Sequence, residues 1–344
     1  MTRPHLALLD GLRGYAAFGV LLYHLRHFWG DVLPVANGYL AVDLFFMMSG
    51  VVIAMNYGER LRDGSLSRLD FLRRRFLRLY PVYMVGGVLG LAVLAVLTLI
   101  GEDWSTPVTL ASGLLWHLLM LPEPLFRGDA GPFPLDPPAW SLFFEIWGNV
   151  IYALIVVRLS PRWVGVLTAL ALAGYVAASQ IAGTVELGVA YPTLFAGLFR
   201  FWFGFGTGLL IWRMRDRLPD MGRAGWPVVV LAMLFPGLPD SDLWRFFWIV
   251  LVLPLGVIAA MRLPAPADLC RALGQMSYPL YILHWPLMML AVKLAVLVEV
   301  PGAWSDPRVG AAVVVLTLIV TGWVTFRLEP RLRAGFAALL SPSR

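Results

Sequence analysis

The sequence predicts an all-α, polytopic integral membrane protein with about ten transmembrane helices and a short re-entrant or interfacial segment near 107–121. Three observations carry that prediction. Of 344 residues, 59% are hydrophobic and only 14% charged, against about 45–50% and about 25% in soluble domains. Apolar runs of bilayer-spanning length recur along the chain. When those runs are laid out as spans, the arginines segregate to one side. The same composition excludes a disordered chain and leaves no room for a sizeable soluble domain. A single cysteine, Cys270, excludes a disulfide framework and a multi-cysteine metal cluster. The five histidines lack ligand spacing, so no metal is expected. There is no dinucleotide fingerprint or P-loop. The net charge of +6 is read as membrane topology, not as a nucleic-acid surface.

The spans fall near 14–30, 39–56, 79–100, 140–157, 163–181, 196–212, 224–236, 244–261, 277–298 and 308–326. The first follows a basic residue, as a signal peptide does. It carries Tyr23, His24, Arg26 and His27 and no small-x-small cleavage site, so it is expected to be retained. The run 107–121 has only 15 residues and precedes the Pro-rich stretch PEPLFRGDAGPFPLDPPA, which cannot be regular helix. With the N-terminus in the cytosol and ten spans, 21 arginines fall on the cytosolic side and five outside or at outer helix ends, Arg200 among the five. Counting 107–121 as a full span inverts everything after it. Ten spans, with both termini cytosolic, is the better layout.

Charged groups within spans cost about 2.5–3.5 kcal/mol on insertion scales, so the exceptions mark function. They are His24 in the first span, Asp43 in the second, Glu145 in the fourth and His284 in the ninth. The topology puts His24, Asp43 and Glu145 on one level towards the outer leaflet. That is the composition of a base with an orienting carboxylate, supplied by Glu145 or Asp43. His284 lies deeper and reads as a packing residue. Arg13 is 11 residues from His24, on the same helix face and about 16 Å away along the axis. In FLRRRFLRLYP, Arg75 and Arg78 are three residues apart and point the same way. Guanidinium forks suit phosphate oxygens. The expected picture is a cytosolic phosphate clamp of Arg13, Arg75 and Arg78 with a base one cofactor arm away.

The motifs LDGLRGYAAFGVLLYH (9–24), GYLAVDLFFMMSGVVI (38–53), FLRRRFLRLYPVY (71–83), WSLFFE (140–145) and MSYPLYILHWP (276–286) occur in that order. Together they resemble the acyltransferase 3 family of membrane acyltransferases. The resemblance implies O-acylation, usually O-acetylation, of an extracytoplasmic or lipid-linked carbohydrate, with acyl-CoA, above all acetyl-CoA, as co-substrate. It implies that His24 is essential, that Arg13, Arg75 and Arg78 hold CoA, and that Trp140 and Ser141 of the W-S-L-x-x-E motif contact substrate beside Glu145. Two departures are visible: Ala41 before V-D-L-F-F, and the bulky Phe143-Phe144 pair before Glu145.

Residues 1–335 are therefore expected to form one transmembrane acyltransferase domain, with 336–344 a short cytosolic tail. The expected partners are a carbohydrate or glycolipid acceptor and membrane lipids. The expected location is the bacterial inner membrane. The competing class is a transporter or exporter of a lipid-linked or small anionic compound, using the buried His, Asp and Glu as a proton relay.

Overall fold

The computed structural model describes residues 6–99, 106–124 and 131–339. Among these no strand occurs; helices joined by turns make up the fold. In chain order the α-helices are α1 (Ala7–His24), α2 (Ala41–Arg62), α3 (Arg68–Leu99), α4 (Pro107–Leu118), α5 (Ala139–Leu154), α6 (Pro161–Ala182), α7 (Gly197–Arg213), α8 (Gly225–Met233), α9 (Asp242–Phe247), α10 (Leu253–Ala260), α11 (Ala267–Leu297), α12 (Pro307–Trp323) and α13 (Glu329–Leu339). Wider π turns, Trp248–Val252 and Val324–Leu328, run α9 into α10 and α12 into α13.

Among the described residues six helical segments are long and apolar enough to cross a bilayer: Gly38–Arg62, Arg68–Leu99, Pro161–Ala182, Asp242–Ala260, Ala267–Leu297 and Pro307–Leu339. The protein is an integral membrane protein. The expected runs 14–30, 140–157, 196–212 and 224–236 become α1, α5, α7 and α8, which are shorter or more polar. Length and apolarity alone therefore do not reach a count of ten. The first helix begins at Ala7 and stops at His24, several residues ahead of the expected run. Asp10 and Arg13 can lie inside it because α1 packs against protein along α11. The run 107–121 is the short helix α4, whose first turn is closed by reciprocal Thr106 and Thr109 bonds with Pro107 at its start. Residues 131–138 of the Pro-rich stretch hold no helix; 125–130 lie outside the described residues. Of the expected tail, 336–339 complete α13, with the Phe336 ring 5.6 Å from that of Tyr80 on α3. Residues 340–344 lie outside the described residues.

Two helix pairs position the site. In lipid, close approach of backbones through small residues drives association. A Cβ added at Gly208 of α7 would sit 2.0 Å from the Met47 carbonyl oxygen of α2, and one at Gly50 of α2 would sit 2.2 Å from that of Phe205. The second pair is α1 with α11. A Cβ on Gly14 would fall 2.6 Å from the Leu273 Cβ, and one on Gly274 2.6 Å from that of Asp10. Asp10 lies beside Gly274 and His24 beside His284, so the two helices run parallel.

Candidate active site

One end of the bundle is basic. Arg75 and Arg78 project from α3, Arg13 from α1, Tyr278 from α11, and Glu145 from α5 into one cavity of about 90 Å³. Arg75 Nη2 donates to Glu145 Oε1 at 2.5 Å, and the Ser49 hydroxyl donates to the same oxygen at 3.0 Å. Arg13 Nη1 reaches Asp10 Oδ1 at 3.4 Å. Arg78 makes no ion pair or side-chain hydrogen bond among the described residues. It is exposed and faces the cavity.

Three cavities follow one another through the bundle. Arg13, Arg78 and Tyr278 belong both to the narrow cavity and to a larger one of about 600 Å³, whose wall also carries Arg271 and Arg333. Val42 and Tyr281 belong both to the narrow cavity and to a chamber of about 780 Å³ at the other end. His24 lines that chamber, with Trp140, Trp285, Trp304 and Glu186. Arg13 and His24 thus line the two outer cavities of this series, and Val42 and Tyr281 stand at the boundary between the narrow cavity and the histidine chamber.

His24 does not meet the expected carboxylate. Its Nδ1 lies 3.0 Å from the Val20 carbonyl oxygen and 3.2 Å from His284 Nε2. The Tyr23 and Trp285 rings stand edge-on to it, with centroids at 5.0 and 5.3 Å. Asp43 is bound instead to Arg200, whose Nε and Nη2 donate to Oδ1 and Oδ2 at 3.0 and 2.7 Å. Glu145 is bound to Arg75 and Ser49. Glu145 does not share the level of His24: its bond to Arg75 puts it at the basic end, not at the expected outer level, and the depth expected for Asp43 holds no information about which way its helix is turned. The α2–α7 contact turns Asp43 towards α7, and α5 presents Glu145 to α3. Trp140 lines the histidine chamber with its ring 5.5 Å from the Arg200 guanidinium. Ser141 lines the narrow cavity, with its hydroxyl 2.8 Å from that of Tyr281.

Arg200 is the main residue that sequence reasoning missed, because it was counted among outward-facing arginines. It is wholly buried, and it also donates to the carbonyls of Leu187 and Tyr39. A usable signal existed: an arginine in the first turn of an apolar span, at the depth of an aspartate in another. In the segment before α7, Glu186 accepts from the Tyr23 hydroxyl at 3.0 Å. Burial holds its carboxyl above the usual carboxylate range, against the pull of Arg200. Among the described residues no group of three or more His, Cys, Asp or Glu is placed to hold a metal ion.

Fold and cavities define a polytopic membrane protein whose interior holds a basic chamber and a histidine chamber, each sharing wall residues with a narrow cavity between them. A family model described as an acyltransferase domain matches residues 6–326, and the chain belongs to that family. "Protein 2 in picA locus" of Rhizobium radiobacter is 41% identical over 154 residues, which is 42% of this chain and 80% of that protein. The O-acetyltransferase OatA of Staphylococcus aureus is 24% identical over 338 residues, 85% of this chain and 52% of that protein. YrhL of Bacillus subtilis, named for peptidoglycan O-acetylation, is 25% identical over 328 residues, 83% of this chain and 49% of that protein. The chain thus spans about half the length of these last two relatives. No solved structure matches.

Proposed function

We propose that this protein is an O-acetyltransferase that carries an acetyl group from acetyl-CoA at the basic, cytosolic end to a hydroxyl of an extracytoplasmic or lipid-linked carbohydrate, with His24 as general base. The observation that carries this reading is the series of cavities that share wall residues. Unpaired Arg78 and loosely paired Arg13 stand at one end and His24 stands at the other, with the cavity of about 90 Å³ between. The family match and the O-acetyltransferases among the relatives support the reaction. The arginine asymmetry supports a cytosolic basic end and cytosolic termini. The bacterial relatives support the cytoplasmic membrane of a bacterium.

In this reading Arg78 and Arg13 take the CoA phosphates by charge-assisted bonds. Arg75, held by Glu145, which Ser49 in turn supports, adds positive field to the same chamber and is fixed in place rather than free to grip. The arm passes Val42 and Tyr281 and presents the thioester beside His24. The acceptor sugar enters the aromatic chamber, where Trp140, Trp285 and Trp304 offer ring faces. The acceptor oxygen forms a bond to the acyl carbon while the carbon–sulfur bond breaks. The hydroxyl proton goes to His24 Nε2 and is then returned to the departing thiolate, giving the ester and free CoA thiol. Asp43 stays with Arg200 and holds the chamber wall.

The test is mass spectrometry of cell-surface glycans from cells with and without the protein, paired with purified protein given acetyl-CoA and the affected glycan. The reading expects a missing acetyl mass in cells, and thiol release that depends on the glycan in vitro. A transporter would move the compound unmodified and release no thiol.

A further inference from the structure

We propose that His284 is the positioning residue of this site: its Nε2 lone pair receives the Nδ1 proton of His24 and holds that imidazole with Nε2 bare towards the acceptor hydroxyl. This rests on the reading of His24 as base. The two imidazoles sit on the parallel helices α1 and α11 with centroids 4.9 Å apart, and the close approach at Gly14 and Gly274 sets that register.

Which nitrogen carries the proton follows from what surrounds each ring. His24 Nδ1 is 3.0 Å from the carbonyl oxygen of Val20, four residues back along its own helix. His284 Nδ1 is 3.3 Å from the carbonyl oxygen of Leu280, again four residues back. A carbonyl oxygen only accepts, so in each neutral ring the proton belongs on Nδ1. The opposite tautomer would aim a nitrogen lone pair at an oxygen lone pair. His284 Nε2 is then an acceptor, and the atom facing it at 3.2 Å is His24 Nδ1, which bears a proton. The His24 proton is shared between Val20 and His284. The remaining nitrogen of His24, Nε2, carries a lone pair and has no hydrogen-bond partner among the described residues. His24 is half-buried and lines the chamber, whereas His284 is 0% exposed and meets the chamber only through His24.

The arrangement does what a carboxylate does beside a catalytic histidine, without placing a further buried charge next to His24. The carboxylates on neighbouring elements are engaged elsewhere: Asp43 with Arg200, Glu145 with Arg75, and Glu186 with Tyr23. When His24 takes a proton on Nε2, its bond to His284 becomes charge-assisted and shortens the path to the transition state.

The test compares His284→Leu, which removes the acceptor, with His284→Gln, whose amide oxygen replaces it at about the same reach. Purified proteins are assayed for thiol release with saturation by donor and by acceptor in turn, and acetyl-CoA binding serves as the folding control. His284→Leu is expected to lose about 10- to 100-fold in kcat with both KM values little changed, and His284→Gln to regain most of it. Wild-type kcat in His284→Leu overturns the proposal. So does a His284→Gln protein that binds donor normally yet is as slow as His284→Leu. His24→Ala is run alongside. If it keeps wild-type turnover, the reading of the base has failed, whereas an inactive His24→Ala beside a fast His284→Leu overturns only the role of His284.

Discussion

Asp43 and Arg200 form a two-pronged ion pair, Nε to Oδ1 at 3.0 Å and Nη2 to Oδ2 at 2.7 Å, with the side chains 1% and 0% exposed. The pair ties α2 to α7 beside the chamber wall, and Arg200 adds bonds to two backbone carbonyls. Removing one partner of such a pair strands a buried charge, at about 3–5 kcal/mol. Asp43→Leu and Arg200→Met are each expected to lower Tm sharply in detergent. The double variant should recover a good part of that loss, because neither charge is left alone. Single variants with wild-type Tm would return Asp43 to the list of candidate catalytic groups.

Arg78 and Arg75 share a helix face but differ in their pairing. Arg78 is unpaired among the described residues, so Arg78→Ala is expected to weaken acetyl-CoA binding by about tenfold or more, the worth of one charged hydrogen bond. Tm should hardly move. Arg75→Ala leaves Glu145 without its cation, so its main effect is on Tm, and Glu145→Gln in the same protein restores much of it. Isothermal calorimetry and thermal melts separate the two. Equal losses of donor affinity with unchanged Tm would make both arginines phosphate ligands.

Val42 and Tyr281 bound both the narrow cavity and the histidine chamber, so the proposed acyl route runs between them. Val42→Trp is expected to plug it. The basic chamber lies on the donor side, so CoA itself should still bind within about threefold of wild type, a shift of under 1 kcal/mol, while transfer falls below detection. Val42→Ala should leave transfer intact. Normal transfer in Val42→Trp would mean that the acyl arm takes another route.

Glycine content alone does not decide which positions matter. Gly208→Ala would push a Cβ to 2.0 Å from the Met47 carbonyl oxygen, so it should lower Tm and loosen the Asp43–Arg200 bond. Gly165 lies within α6 with nothing within 4 Å of its added Cβ. Gly165→Ala should therefore be neutral or stabilise by up to about 1 kcal/mol. Melts that rank the two the other way would contradict the close α2–α7 packing.

The helices were legible because an apolar run is a local property. Nine of the ten expected spans overlap a helix to within a few residues at one end or both, and 107–121 announced itself as too short for a span. The first helix begins at Ala7, ahead of the apolar run 14–30, because α1 packs along α11 where Asp10 and Arg13 fall. The site was legible in its parts and not in its pairings. Depth along the membrane follows from counting residues, which separates His24 from the arginines but sets Glu145 at the wrong level, away from Arg75. Rotation of each helix about its axis follows from which glycines meet which backbone. That is why Asp43 faces Arg200 and His284 is the neighbour of His24. By sequence His284 reads as packing, because a helical histidine is more often a satisfied core residue than a base, yet parallel helices meeting at Gly14 and Gly274 bring the two rings together.

The most direct test of the central claim uses proteoliposomes with acetyl-CoA, labelled in its acetyl group, on the basic side and an acceptor glycan on the other. The account predicts that label appears on the enclosed glycan, that one free thiol forms on the donor side per ester made, and that His24→Ala abolishes both while still binding acetyl-CoA. Acetylation of the glycan at the wild-type rate by His24→Ala, or label crossing without any acceptor present, would contradict it.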